Sequence, residues 1–205
     1  MLNPLARNLL EQHYKKLFKP LGECTFTSRN NARGGCPDLT VMRMLSRRTD
    51  GQLMQVLATL GVSEFRLPRE KGIPANRNEY VTFVPADWDM DDPKHRWVLD
   101  MLADLSDYTA EEHVAIYYGH KVDMTDGDAS YNAGEDVNMA GVVLLAPLND
   151  EREECITCRT GILSLVNIIH MMPVTGEELQ QKPSELIRRF YPDYGEVRYL
   201  CARKR

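Results

Sequence analysis

Cys155-Ile-Thr-Cys158 is the pair whose residue type and spacing point most directly to chemistry, because two thiolates two residues apart can ligate zinc or form a redox couple. A closed zinc site needs two more ligands. Cys24 and Cys36 are far away in sequence, and neither sits in a knuckle-like turn. A thioredoxin-like pair opens a helix, whose N-terminus lowers the thiol pKa. Here Glu153-Glu154 precede the pair and Arg159-Thr-Gly161 follows it like a hairpin turn. Cys155 and Cys158 therefore read as two reduced thiols beside a hairpin. The alternative is a metal- or thiol-dependent enzyme or redox protein using them with a histidine such as His120.

The other titratable residues make no convergent set. His95, His113, His120 and His170 match no metal-ligand spacing. His170 precedes Met171-Met-Pro173 and is expected at the end of a strand, while His120 closes Tyr117-Tyr-Gly-His120 in a loop, where binding residues concentrate. The acidic stretches Asp123 to Asp136 and Asn149 to Glu154 read as solvated loops. Asp123-Met-Thr-Asp-Gly-Asp128 lacks the ligand series and the closing bidentate Glu of a calcium loop. There is no Gly-x-Ser-x-Gly elbow and no His-Glu-x-x-His. Gly34-Gly35 is followed by no Lys-Ser or Lys-Thr, so it is no phosphate loop. No catalytic residue is assigned and no cofactor is expected.

With 205 residues, a net charge of −5 and a pI near 5.6, the chain lacks the concentrated basic surface that nucleic acid requires. Arg43, Arg47 and Arg48, Arg188 and Arg189, and Arg203 to Arg205 read as solvated surface or tail. The apolar runs near Val142 to Pro147 and Ile162 to Pro173 are too short or too interrupted to span a bilayer. Met1-Leu-Asn-Pro-Leu-Ala6 carries no basic region followed by a long apolar core, and five cysteines is an odd count without disulfide density. A cytoplasmic protein with reduced thiols is expected, as one domain over residues 1–205.

The elements that must position these residues follow from period and punctuation. Asn3-Pro4 starts a helix whose stripe is Leu5, Leu9, His13 and Leu17, flanked by Leu10, Tyr14 and Phe18, and which ends by Pro20-Leu-Gly22. Cys24 to Ser28, Leu39 to Leu45 and Leu53 to Leu60 read as antiparallel strands separated by Gly- and Asn-rich turns. Glu79-Tyr-Val-Thr-Phe-Val-Pro-Ala-Asp-Trp88 gives a strand over Tyr80 to Val84 that stops at Pro85, with Trp88 at the turn. Asp91-Asp92-Pro93 starts a helix with Trp97, Val98, Met101, Leu102 and Leu105 on its buried face. Val114 to Tyr118, Met139 to Ala146 and Ile162 to Met171 read as strands. Thr175-Gly-Glu-Glu178 is a capping box, Pro183 to Phe190 a helix, and Val197 to Cys201 a last strand. Helices flanking a mostly antiparallel sheet define an α+β domain.

Several pieces in order resemble the suppressor-of-fused family: Ala58-Thr-Leu-Gly-Val-Ser63; Glu79 to Trp88 with the following helix; Tyr118-Gly-His120; and Ile168-Ile-His-Met-Met-Pro-Val-Thr-Gly-Glu-Glu-Leu179 with the helix to Phe190. The resemblance runs from about Asp38 to Phe190. It departs at Val62, where Met is usual, and at Cys36-Pro-Asp38. It implies an α+β suppressor-of-fused-like domain with no catalytic residues that acts by binding another protein. The short single-domain form implies a bacterial protein, in a branch that includes immunity proteins neutralising toxin domains by direct contact. An acidic surface suits a basic toxin. The candidate partner-binding residues are the polar and aromatic ones at strand ends and loops: Asp87, Trp88, Tyr118, His120, Asp150, His170 and Glu177. Glu178 is accounted for as a helix cap.

Overall fold

Asn3 and Pro4 open the first helix as their chemistry requires: the Asn3 carboxamide accepts from the Leu5 amide at 2.9 Å, and Pro4 takes the first turn, where no donor is needed. This helix, α1 (Pro4–Phe18), ends at Lys19 in the left-handed conformation. Its buried line is Leu10, Tyr14 and Phe18, while Leu5 is 63% exposed. The expected stripe is thus rotated by one residue, toward the line that carries two aromatic rings and so buries more area.

The computed structural model describes residues 3–29, 39–47, 51–112, 114–125, 131–132, 138–147, 153–162 and 164–190. Gly34-Gly35, Cys36, Arg48, His113, Asp128, Asp150, the expected strand 197–201 and Arg203 to Arg205 lie outside them. The strands are β1 (Thr25–Arg29), β2 (Leu39–Arg47), β3 (Leu53–Leu60), β4 (Asn78–Pro85), β5 (Lys121–Asp123), β6 (Tyr131–Asn132), β7 (Asn138–Leu145), β8 (Thr157–Arg159) and β9 (Leu165–Thr175). The remaining helices are α2 (Pro93–Glu111), α3 (Glu153–Ile156), α4 (Gly176–Leu179) and α5 (Pro183–Phe190), with a 3-10 turn at Val62–Glu64.

Among the described residues the nine strands join one sheet in the order β1-β2-β3-β4-β9-β7-β5, with β6 on β7 and β8 on β9. Every pairing is antiparallel except β4 with β9, which run parallel from Asn78 opposite Asn167 to Val81 opposite His170. The architecture is the expected α+β one. On β4 every residue from Asn78 to Val84 is buried, so its alternation separates two apolar faces rather than core from solvent. On one face Leu57, Tyr80, Val84, Val142, Leu144, Ile169 and Met171 pack beneath Trp97, Val98, Met101, Leu102 and Leu105 of α2. On the other, Val56, Ala58, Val81, Phe83, Val166 and Ile168 receive α1, and Val143, Leu145, Met172 and Val174 receive Leu186 and Phe190 of α5.

Two expected strands differ. Val114 to Tyr118 forms no ladder: Ile116 and Tyr117 are buried under α2 as irregular chain, and after Gly119, with φ of 89°, pairing begins at Lys121 instead. The apolar run signalled burial, not strand. The last central strand starts at Leu165 and continues through Pro173 to Thr175, while Ile162 lies 90% exposed in the β8–β9 turn. The capping box is formed as expected: Thr175 Oγ1 accepts from the Glu178 amide at 3.3 Å and Glu178 accepts from the Thr175 amide at 2.9 Å.

Gly141 has no room for a side chain. A Cβ there collides with the Val122 carbonyl oxygen and meets the Leu179 methyl carbons at 3.1 Å, beside the irregularity between Met139 and Gly141. Gly141→Ala is expected to push β5 off β7 and to destabilise the protein by about 2 kcal/mol, the scale of overpacking against fixed backbone. Urea unfolding measures it, and a loss under about 0.5 kcal/mol means the edge yields freely.

Candidate functional site

β4 ends at Pro85 and the chain reverses into α2 through Asp87 and Trp88. The Trp88 amide donates to the Pro85 carbonyl at 3.3 Å, and Gln55 Nε2 on neighbouring β3 donates to the carbonyls of Trp88 at 2.6 Å and Ala86 at 3.1 Å. The Trp88 ring stacks on His95, centroids 4.5 Å apart and 10° from parallel, and meets Trp97 edge-on at 6.3 Å. Asp89 accepts from the Asp91 amide and Asp92 caps α2 through the Lys94 amide. A half-buried indole is thereby held rigidly, with Asp87, Asp89 and Asp91 exposed around it.

Apolar surface adjoins this turn. Leu45 lies opposite Gln55 in the β2–β3 register and Leu53 is two residues along on the same face; they are 39% and 42% exposed. Exposed apolar side chains beside a fixed aromatic ring and a polar rim have the composition of a protein-contact patch.

Tyr118 and His120 lie elsewhere, on the edge of the sheet beside β7. The Gly119 amide donates to the Leu144 carbonyl at 2.6 Å, and the Leu144 amide donates to the His120 carbonyl at 2.9 Å. Tyr118 is 43% exposed, with its ring centroid 4.1 Å from that of Tyr117, whose hydroxyl is pushed well above the usual tyrosine range by burial. The next residue, Lys121, donates through Nζ to the Leu179 and Gln181 carbonyls, tying this turn to the end of α4. Glu177 is exposed on α4, while Glu178 is buried and pairs with Arg189 at 3.1 Å. Because β4 and β9 are parallel, Asp87, Trp88 and Glu177 all leave the sheet at one end.

His170 is not at a strand end. It sits in mid-β9 between Val81 and Leu145, 1% exposed, its ring centroid 4.7 Å from that of Phe83. Burial pushes its pKa down to about 3, so the ring is neutral at ordinary pH and out of a surface partner's reach. The expectation failed because Met171-Met-Pro173 looked like a stop, whereas the strand continues through it. Asp150 lies outside the described residues.

Cys155 lies in the one-turn α3 and Cys158 on β8 opposite Val166, forming one side of the expected hairpin. They are 0% and 3% exposed, and burial pushes the Cys158 thiol up to about 11, the reverse of a reactive thiolate. Among the described residues no three of His, Cys, Asp and Glu cluster as a metal-ligand set, and no helix is long and apolar enough to cross a membrane.

One buried polar group was not singled out by the sequence reading. Glu79, fully buried, accepts from Thr59 Oγ1 at 2.6 Å, Ser63 Oγ at 2.7 Å and the Gly61 and Ser63 amides at 2.9 and 3.0 Å. Burial lifts its pKa, and these four hydrogen bonds pull it back. Nearby, Asn167 Nδ2 donates to Asn78 Oδ1 at 2.9 Å and to the Ala75 carbonyl at 2.8 Å, and Asn78 Nδ2 donates to the Ile116 carbonyl at 2.9 Å. The signal was a Glu directly ahead of an apolar strand, with Gly61-Val-Ser63 available to supply donors.

The family model described as suppressor of fused protein (SUFU) matches residues 36–194. The crystal structure of a suppressor-of-fused homologue from Neisseria gonorrhoeae FA 1090 superposes with a TM-score of 0.60 at 16% identity, covering 94% of each chain. At that identity the likeness is one of fold. Comparison with curated proteins finds no match.

Proposed function

Because this chain belongs to the suppressor-of-fused family, we propose that it works as a bacterial immunity protein, neutralising a toxin domain by direct contact. The family's domains are non-catalytic protein-interaction modules. The observation that carries the contact reading is the Trp88 turn. A Trp held between His95 and the core loses little freedom on binding, and Trp is among the side chains that most often dominate an interface. The exposed Asp87, Asp89 and Asp91 around it, on a chain of net charge −5, favour a basic partner and speed its approach. Tyr118, His120 and Glu177 extend the candidate surface to the sheet edge, and the chain acts as one domain in the cytoplasm.

The test is co-purification with the product of a neighbouring toxin-like gene, followed by affinity measurement with substituted proteins. Trp88→Ala is expected to weaken the complex by roughly 30-fold or more, the loss of one hot-spot residue, with far-UV circular dichroism unchanged. Asp87→Lys is expected to slow association chiefly at low salt. A complex that forms equally tightly with Trp88→Ala moves the contact surface off this turn. Failure to recover any protein partner sinks the immunity reading.

A further inference from the structure

The loop from Arg66 to Arg77 gathers three guanidinium groups around one pocket. Arg66, Arg69, Asn76 and Arg77, with Ser164 and Leu165 from the β8–β9 hairpin, line an open cleft of about 380 Å³. The cleft is braced before any ligand arrives. The Leu67 amide donates to the Asn76 carbonyl at 2.9 Å and Asn76 Nδ2 donates back to the Leu67 carbonyl at 3.2 Å, locking the two arms of the loop together. Arg77 Nη1 donates to the Ser63 and Glu64 carbonyls, and the Arg77 carbonyl accepts from the Asn167 amide at 2.8 Å, so this side chain is anchored at one nitrogen with its other donors unspent.

Two of these positive groups, Arg66 and Arg77, repel one another. Arg77 is pushed below the usual arginine range by burial and by the neighbouring Arg66, with Glu64 offsetting part of the effect. Among the described residues neither Arg66 nor Arg69 forms an ion pair or hydrogen bond. A chain with 30 acidic residues could have supplied a partner to each. Glu64 offsets only part of this charge, and the guanidinium forks of Arg66 and Arg69, unpaired among the described residues, are matched by an anion from outside, bound through paired N–H donors.

We propose that this pocket is an oxyanion site for a phosphate group, with Arg77 and Asn76 fixing its orientation and Arg66 and Arg69 closing on it. Charge and donor count favour phosphate over carboxylate. A phosphate group carries about −1.5 to −2 charges and three or more acceptor oxygens, whereas one carboxylate offers a single charge and two oxygens to three guanidinium groups. The site lies at the opposite end of β4 from Trp88, so it does not depend on the proposed partner contact.

Calorimetric titration at low salt with inorganic pyrophosphate, with O-phosphoserine and with citrate is the test. Saturable binding of pyrophosphate or O-phosphoserine is expected, weakened at least tenfold in the Arg66→Gln, Arg69→Gln double variant and unchanged in Arg188→Gln on α5. Tighter binding of O-phosphoserine identifies a phosphate carried on a larger molecule; tighter binding of pyrophosphate identifies a free one. Arg66 and Arg69 are exposed, so the double variant keeps its fold; Ser164→Asp, which places a carboxylate at the rim, supplies an independent loss. Citrate binding as tightly as both phosphates overturns the preference for phosphate. No saturable binding, or equal binding by the double variant, overturns the site.

Discussion

Glu79→Ala is expected to destabilise the protein by roughly 3 to 5 kcal/mol, the largest single-residue effect outside the packed apolar core. The substitution strands the Thr59 and Ser63 hydroxyls and the Gly61 and Ser63 amides together, in a site with no exposure. Each buried donor left unsatisfied costs about 1 to 3 kcal/mol, and water entering the vacated space recovers part of the sum. It also releases the Gly61 to Ser63 turn that joins β3 to the 3-10 segment, since Glu79 is what holds that turn against β4. Glu79→Gln keeps one acceptor and exchanges the other for a donor facing donors, so a loss of about 2 kcal/mol is expected. Urea unfolding of the three proteins measures both differences. A loss below about 1 kcal/mol for Glu79→Ala means these donors find other acceptors.

The second large effect is on acid stability, and it comes from His170. Its folded pKa is about 3 while an unfolded histidine titrates near 6.5, so the unfolded chain binds the extra proton first. The stability this provides is complete above about pH 6.5 and is lost progressively as pH falls toward 3. At pH 5 the loss is about 2 kcal/mol from this group alone. Glu79 acts with the opposite sign: its folded pKa is raised, so its contribution is complete below the ordinary glutamate range and is lost as pH rises through the folded value. His170→Leu is therefore expected to flatten the fall in stability between pH 6.5 and pH 5, and Glu79→Gln to steepen it. Parallel pH profiles for wild type and His170→Leu would rule out a buried neutral imidazole.

How much of this was legible in advance differs from element to element. α1, α2, α4 and α5 announce their starts through Asn3-Pro4, Asp92-Pro93, Thr175 with Glu178, and Pro183, because a cap satisfies its donors within a few residues and leaves a local mark. β2, β3, β4 and β7 show in their apolar periods for the same reason. Val114 to Tyr118 shows where that reading fails: burial under α2 and burial in a ladder give the same apolar composition, and only the position of β7 chooses between them. The Trp88 turn was visible as a landmark. Its stacking on His95 and its Gln55 clamp join residues from three elements and leave no trace in spacing.

By itself, then, the sequence determined the α+β class, the strand and helix starts set by local caps and turns, and the suppressor-of-fused resemblance over the middle of the chain. Those properties rest on neighbours within a few residues or on motif order. The tertiary structure alone decided that His170 is a core residue, that Glu79 is the acceptor for four donors, that Cys155 and Cys158 are buried thiols, and that Arg66, Arg69 and Arg77 surround a single pocket. Each of these depends on which strands pair and which helix covers which face. Burial and long-range charge are properties of that arrangement, and residues far apart along the chain acquire them only when the sheet brings them together.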